Sequence, residues 1–283
     1  MAGKSTKSEW SAKRPYLTKI TDNFILNGES SRKETRHIVF DLGDSGLEYK
    51  AGDALGVVPR CPPDEVEEIL RICGFSGEEI VETNLGECPL REALTDRYEV
   101  HRVSKKWIKG LAERSGGDGP KSEIRIVSRK RSSSVDGTLI VDWSSSGEED
   151  VPEGYVEMGE MGDNSAILLH ELITDNDAME DYIWSRDYID VMNDFEVSYA
   201  PEEFLELADK LKPRLYSIAS SHDVHPGFVE LTVGIVRYSH HGRDRGGLCT
   251  VYMADEVEVN KTDVGVFMSP TKSFVLPEDK STD

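Results

Sequence analysis

The apolar residues of this chain change their spacing twice, from a period of two near the N-terminal end to a helical period in the middle and back again. A period of two puts alternate side chains on one face of a strand, whereas i, i+3, i+4, i+7 lines one side of a helix, so a segment patterned for one does not settle as the other. In Thr35–Leu42 the residues Ile38, Phe40 and Leu42 alternate, and Gly43–Gly46 closes the stretch as a turn. Tyr49–Pro59 is a second extended stretch, bent at Gly52-Asp53, with Gly56 where another group can approach the backbone closely. Beyond Pro62-Pro63, the residues Val66, Ile69, Leu70 and Cys73 take helical spacing up to Gly74, a helix stop, and Cys73 on that stripe is read as core. Helical spacing returns at Met179, Tyr182 and Ile183, and again at Phe204, Leu207, Ala208 and Leu211, a helix opened by Pro201 and closed by Lys210, Lys212 and Pro213. From Arg214 the period is two once more: in Phe228–Tyr238, Val229, Leu231, Val233 and Ile235 alternate with Glu230, Thr232, Gly234 and Val236. Val264, Val266 and Met268, then Phe274–Pro277, add two short strands. Strands, a long helical insertion and strands again predict an α+β fold, an antiparallel β-barrel completed across an inserted subdomain.

The chain has 283 residues, which at roughly 100–200 per domain makes one large module or two ordinary ones. A hydrophobic content of 37% builds a core only if some of the length lies outside it. Glu113–Asn164, rich in Ser, Gly and acidic residues, is the candidate for that flexible length. Within it Ile124–Val127 and Thr138–Asp142 have the alternation of a local hairpin, and Arg129–Arg131 reads as solvated loop charge. A formal net charge of -21 argues against nucleic acid as a partner, because phosphate backbones need a basic footprint. No apolar run approaches the about 18 residues of a membrane span, and Met1–Glu9 has no apolar signal region. Cys61, Cys73, Cys88 and Cys249 form no C-x-x-C pair, which fits a reducing, cytoplasmic compartment.

The common catalytic signatures are missing. No G-x-G-x-x-G, G-x-x-x-x-G-K or G-x-S-x-G is present, and His170-Glu171 lacks the second histidine of a zinc-protease helix. His240-His241 has no carboxylate or cysteine at clear ligand spacing, so no metal is expected. What remains lies in the last third. Arg214 and Tyr216 fall on one face of a strand, offering a guanidinium fork for phosphate oxygens and a ring for a flat heteroaromatic. Arg243–Thr250 runs from a glycine turn into a short helix read as Thr250–Val257, with Thr250 near its N-cap and backbone N–H groups at its start as an anion site. Together these features point to a dinucleotide with a pyrophosphate; separately, the first is as often a surface strand and the second simply a turn.

Tyr49-x-x-Gly52-Asp53-x-Leu55-Gly56-Val57, Arg214–Ser221, Thr232–Val236 with Tyr238, Gly247–Thr250 and Phe274-x-Leu-Pro277 resemble the successive FAD-binding motifs of the ferredoxin-NADP reductase superfamily. Within it the likeness is to the flavoprotein (alpha) subunit of NADPH-dependent assimilatory sulfite reductase and related diflavin reductases. It covers Arg14–Pro277 apart from Glu113–Asn164. The resemblance implies a polar tail at 1–13, an FR-type FAD-binding barrel from 14–62 and 213–283, and a helical connecting insertion at 63–212, with 113–164 flexible. It implies that Arg214 contacts the FAD pyrophosphate, that Leu215 and Tyr216 accompany it with Tyr216 packed on the flavin or ribitol, and that Ser217 lies at the flavin edge where hydride arrives, the catalytic position. Thr232, Val233 and Gly234 would meet the pyrimidine end through backbone groups, and Tyr238 would lie along the adenosine diphosphate. Gly247, Leu248, Cys249 and Thr250 would form a second pyrophosphate cradle. A family Thr that helps to hold FAD falls at His101, a departure from the pattern.

By the same resemblance the chain is expected to act in an NADPH-dependent flavoprotein oxidoreductase that relays electrons from NADPH through FAD. The expected partners are an FMN-bearing, flavodoxin-like module or a sulfite reductase haemoprotein, and an NADPH-binding domain or its continuation. Neither the FMN module before Arg14 nor the glycine-rich NADPH domain after Pro277 is found in the 283 residues, so the chain alone is expected to be incomplete for catalysis. The alternatives are a reductase of a haem monooxygenase type acceptor and a flavin-binding fragment without turnover.

Overall fold

The computed structural model describes residues 9–116, 162–195 and 199–271. In chain order its elements are strands β1 (Tyr16–Thr18), β2 (Ile20–Ile25), β3 (Glu34–Asp41) and β4 (Ala54–Val58), then helix α1 (Pro63–Cys73), strands β5 (Ile80–Thr83) and β6 (Gly86–Pro89), and helix α2 (Leu90–Asp96). Helices α3 (Lys105–Gly116), α4 (Gly162–Thr174), α5 (Asn176–Trp184), α6 (Tyr188–Asp194) and α7 (Pro201–Leu207) follow. Strands β7 (Arg214–Ser217), β8 (Phe228–Ile235), β9 (Arg237–His240) and β10 (Arg243–Gly246) lead to helix α8 (Leu248–Val251), a π-helical turn (Tyr252–Glu256) and strand β11 (Val264–Ser269). The chain divides into two compact units: 1–62 with 95–97 and 210–283, and 63–94 with 98–209.

The first unit is built on antiparallel sheets of order β1-β11-β4-β7 and β2-β3-β8, with β9 and β10 as a separate ribbon. Strands β3 and β8 pair along their whole length, from Glu34 opposite Ile235 to Asp41 opposite Phe228. Val229, Leu231, Val233 and Ile235 are buried, as the alternation predicts, and share a core with Ile38, Phe40, Leu55, Val57, Val264 and Val266. Burying each such side chain stabilises the fold by roughly 1.5–3 kcal/mol, and slipping β8 by one residue would turn all four to the other face. The pattern therefore excludes a slip by one residue. Gly56 earns its place in β4 because a Cβ there would stand 2.3 Å from the ring of Phe267 on β11.

The expected polar tail is tied down in its last residues. Trp10 packs on the core with its ring 5.2 Å from that of Tyr16, and its Nε1–H donates to the Ser45 carbonyl at 2.9 Å. An indole buries its apolar body readily when its one N–H finds an acceptor, which the polar composition around it conceals. Thr95–Arg97 also return to this unit: Cys61 N–H bonds Thr95 O, Leu211 N–H bonds Arg97 O, and Arg60 forks onto Asp96 at 2.6 and 3.1 Å.

In the second unit α1 begins at Pro63 and ends in a Schellman turn, with Gly74 at φ +71°, Gly74 N–H on Arg71 O and Phe75 N–H on Leu70 O. Val66, Ile69 and Leu70 are buried, and burial pushes the Cys73 thiol up to about 12. Trp107 of α3 packs against Tyr188, Tyr199 and Phe204 with ring centroids 4.6–5.0 Å apart. The antiparallel hairpin β5–β6 lies within the insertion expected to be helical, and α7 stops at Leu207 rather than running to Leu211. Of the stretch expected to be flexible, 113–116 and 162–164 belong to helices. The hairpin at 124–142 and Arg129–Arg131 lie outside the described residues, as does Phe274–Pro277.

His101 belongs to this unit, its Nδ1 3.0 Å from the Glu65 carboxylate. Burial works to lower the imidazole pKa, but the hydrogen bond and charge of Glu65, with Glu99 and Asp187, outweigh it, and the net shift is upward. A raised folded pKa contributes stability that is complete below the unfolded value of about 6.5 and is lost as pH rises through the folded value. His101→Gln should therefore be less stable than the parent by about 1.5–3 kcal/mol near pH 6 and by less near pH 9. Thermal unfolding at the two pH values checks this; a deficit that is constant or grows with pH would contradict it.

Candidate cofactor site

The candidate site is built within the first unit from β7, the outer edge of β8 and the start of α8. Along β7 the pleat places the half-buried Arg214 and Tyr216 on one face and the exposed Leu215 and Ser217 on the other. The Tyr216 ring packs against the core, and its hydroxyl and the thiol of Cys249, the second residue of α8, influence each other electrostatically. Burial pushes the Tyr216 hydroxyl pKa up, and the Cys249 interaction adds to the rise. Cys249 is raised to about 11 by burial, while the Tyr216 hydroxyl and the Arg214 charge act in the opposite direction. The guanidinium thus acts on both groups, and the two halves of the predicted constellation meet here. A thiol with so high a pKa stays protonated at neutral pH and is no nucleophile.

On β8 the register with β3 turns the backbone groups of Glu230, Thr232 and Gly234 to the edge away from β3. Pairing towards β7 ends at the bridge Ile218↔Leu231, where Ala219 N–H bonds Glu230 O. Past the far end of the strand, Gly247 N–H bonds Val236 O, and Val236 N–H bonds Thr250 Oγ1 at 3.3 Å. Gly234 lies between these two ties, exposed and with nothing within 4 Å of where a Cβ would stand. Val233 is buried, and its backbone groups face β3 rather than this edge.

The helix begins two residues earlier than its sequence indicates. Gly247 is the N-cap and Leu248 the first helical residue, so Thr250 sits third in the helix, not at its cap. Its hydroxyl turns back to donate to Gly247 O at 2.9 Å. The first intrahelical bond is Val251 N–H to Gly247 O, which leaves the N–H groups of Leu248, Cys249 and Thr250 ahead of it, as at any helix start. Both glycines are needed for close packing. A Cβ on Gly246 would stand 2.2 Å from Val251 Cγ2, and one on Gly247 2.8 Å from Thr250 Oγ1.

Tyr238 stands on the β9–β10 ribbon, 46% exposed, opposite Arg245 and therefore on the same face. Arg245 is buried, with Nε 3.3 Å from His240 O. The sequence marks it only as one of several basic residues before the glycines. The motif residues Tyr49 and Asp53 serve as clamps: Tyr49 Oη is 2.6 Å from Ser220 Oγ and donates to Phe228 O at 3.0 Å. Asp53 accepts from the N–H groups of Lys50 and Thr271, both at 2.9 Å. They fix the segment leaving β7 and the ends of β4 and β11, and so hold the Arg214–Tyr216 face in place. His101 lies in the other unit.

The residues fit a dinucleotide such as FAD. A guanidinium and helix-start N–H groups suit a pyrophosphate, an aromatic ring suits a flat ring system, and open strand-edge N–H and C=O groups suit the heteroatoms of a pyrimidine. Among the described residues no group of three or more His, Cys, Asp or Glu is arranged to hold a metal ion, and no helix is long and apolar enough to cross a membrane.

Comparison with known proteins finds relatives over nearly the whole chain. The chain is 32% identical over 99% of its length to the sulfite reductase (NADPH) flavoprotein alpha-component of Bacillus subtilis (strain 168), covering 39% of that protein. It is 30% identical over 96% of its length to the protein of that name from Mannheimia succiniciproducens and 31% over 94% to that from Zymomonas mobilis, covering 37% and 36% of them. The chain thus spans under two fifths of the length of these curated relatives. The family described as FAD binding domain matches residues 8–123 and 163–252, well over half the chain and including β7, β8 and α8. The chain belongs to the FAD binding domain family.

Proposed function

We propose that this chain is the FAD-binding module of an NADPH-dependent flavoprotein oxidoreductase of the sulfite reductase type, relaying electrons from NADPH through FAD towards an FMN-bearing or haemoprotein partner in the cytoplasm. The observation that carries the reading is the convergence of Arg214, Tyr216, the β8 edge and the α8 start in one unit, within the stretch that the family matches. In this reading the antiparallel sheets of the first unit close as the FAD-binding barrel and the second unit is the connecting insertion.

FAD, when bound, accepts hydride as an electron pair and releases electrons singly. Arg214 and the N–H groups of Leu248, Cys249 and Thr250 bind the pyrophosphate, a charge-assisted set worth about 1.5–3 kcal/mol for each bond. Tyr216, held by its packing on the core, would orient the flavin. The edge of Thr232–Gly234 hydrogen-bonds the pyrimidine end, and Tyr238 with Arg245 lies along the adenosine diphosphate. Ser217, exposed at the end of β7, would lie beside the edge of a bound flavin that takes up hydride. In this reading FAD is held noncovalently.

Hydride transfer requires the nicotinamide to be held about 3–3.5 Å from its acceptor atom. Among the described residues the groups assigned here all serve one dinucleotide. Anaerobic mixing should show ready bleaching of the flavin band by dithionite and slow or no bleaching by NADPH. The reduced protein should then pass its electrons to ferricyanide. Rapid bleaching by NADPH would place a nicotinamide site in this chain, and failure to reduce ferricyanide would remove the relay.

A further inference from the structure

The π-helical turn that continues α8 is held from outside by side chains of three strands. Arg237 of β9 forks onto Asp255, with Nη1 2.7 Å from Oδ2 and Nη2 2.8 Å from Oδ1, while its Nε donates to Glu34 of β3 at 2.9 Å. Glu34 also accepts from Arg36 Nε at 2.6 Å, and Arg36 Nη1 reaches Ala254 O and Asn23 Oδ1, both at 3.3 Å. Asn23 Nδ2 completes the set on Met253 O at 2.9 Å. Three consecutive residues of the turn, 253–255, are therefore each tied to β2, β3 or β9.

We infer that Arg237 is a positioning residue for the dinucleotide: its guanidinium locks the π-helical turn, and through it the Gly247–Thr250 helix start, to β9, which carries Tyr238, and to β3, which pairs with the strand of Gly234. The inference rests on the FAD reading. A π-helical turn is a rare conformation frequent at functional sites, and this one follows directly on the helix start assigned to the pyrophosphate. The nitrogens of Arg237 are directed to two carboxylates, so it acts through them rather than on the ligand. A planar fork fixes both distance and angle, which a lysine ammonium does not. Arg237 and Asp255 are 43% and 41% exposed, and pairs so exposed add little to global stability. The role is geometric.

The test is FAD affinity of the apoprotein of the full chain, measured by quenching of flavin fluorescence, with visible circular dichroism of the bound flavin and thermal unfolding alongside. Arg237→Ala and Asp255→Asn should each weaken FAD at least tenfold and alter the flavin dichroism, with unfolding little changed. The double variant should be no weaker than the worse single one. Arg237→Lys should resemble Arg237→Ala, and Arg71→Ala, which removes an exposed pair with Glu68 on α1, should match the parent. Parental affinity in Arg237→Lys, or additive losses in the double variant, would mean that the cation attracts the ligand directly and would overturn the inference. If Arg237→Ala does not fold, Asp255→Asn and Glu34→Gln decide, and unchanged affinity in both overturns it. A parent chain that binds no FAD would overturn the underlying FAD reading instead, and this inference with it.

Discussion

Arg214→Ala should lose FAD affinity by on the order of 100-fold while leaving the fold intact. A guanidinium facing a pyrophosphate makes charge-assisted bonds of about 1.5–3 kcal/mol each, and about 1.4 kcal/mol is a factor of ten in affinity. The chain carries a net charge of -21, so an anionic ligand is held here by local cations against the overall field. Arg214 is half-buried at the start of β7, on the same face as Tyr216, and its charge acts on both Tyr216 and Cys249. Arg71→Ala, on the exposed surface of α1, is the control. Fluorescence titration of the two variants with FAD compares them directly. Equal dissociation constants would mean that the pyrophosphate lies elsewhere.

Gly247→Val should weaken FAD by roughly 10–100-fold through shape alone. The backbone of Gly247, at φ -73° and ψ 117°, is open to any residue, so the cost is not conformational. Its Cβ would lie 2.8 Å from Thr250 Oγ1 and 3.1 Å from Val236 Cβ, and two further methyl groups deepen the clash. Relieving overpacking of this kind costs about 1–3 kcal/mol, and here the relief must come from Thr250 or Val236. Those are the residues whose hydroxyl and backbone tie the helix start to the end of β8. Gly28→Ala, with nothing within 4 Å of its Cβ, should bind FAD as the parent does. Matching affinities for the two glycine variants would show that the helix start does not serve the ligand.

The parts of this architecture legible in the sequence are those with one buried and one open face. In β8 the four buried residues alternate without a break, so the strand and the face it buries follow from period alone. The ribbon strand β9 is exposed at every position, and nothing in its pattern separates it from a loop. Strand β2 alternates only at its beginning before running into the exposed Phe24 and Ile25. The face of β7 was legible because Arg214 and Tyr216 stand two apart. The start of α8 was misplaced because Thr250 has the chemistry of an N-cap, while the true cap, Gly247, offers no side-chain signal. Contacts across long separations left no trace at all. Glu34 and Arg237 are 203 positions apart, and only the pairing of β3 with β8 brings them together.

The most direct measurement is the spectrum of the purified full chain, followed by denaturation and chromatographic identification of whatever chromophore is released. A noncovalent dinucleotide held by Arg214, Tyr216 and the α8 start predicts a yellow protein that releases intact FAD, or an apoprotein that quenches and binds added FAD at one equivalent per chain. A colourless protein that leaves the fluorescence of added FAD unchanged would contradict the assignment of this site.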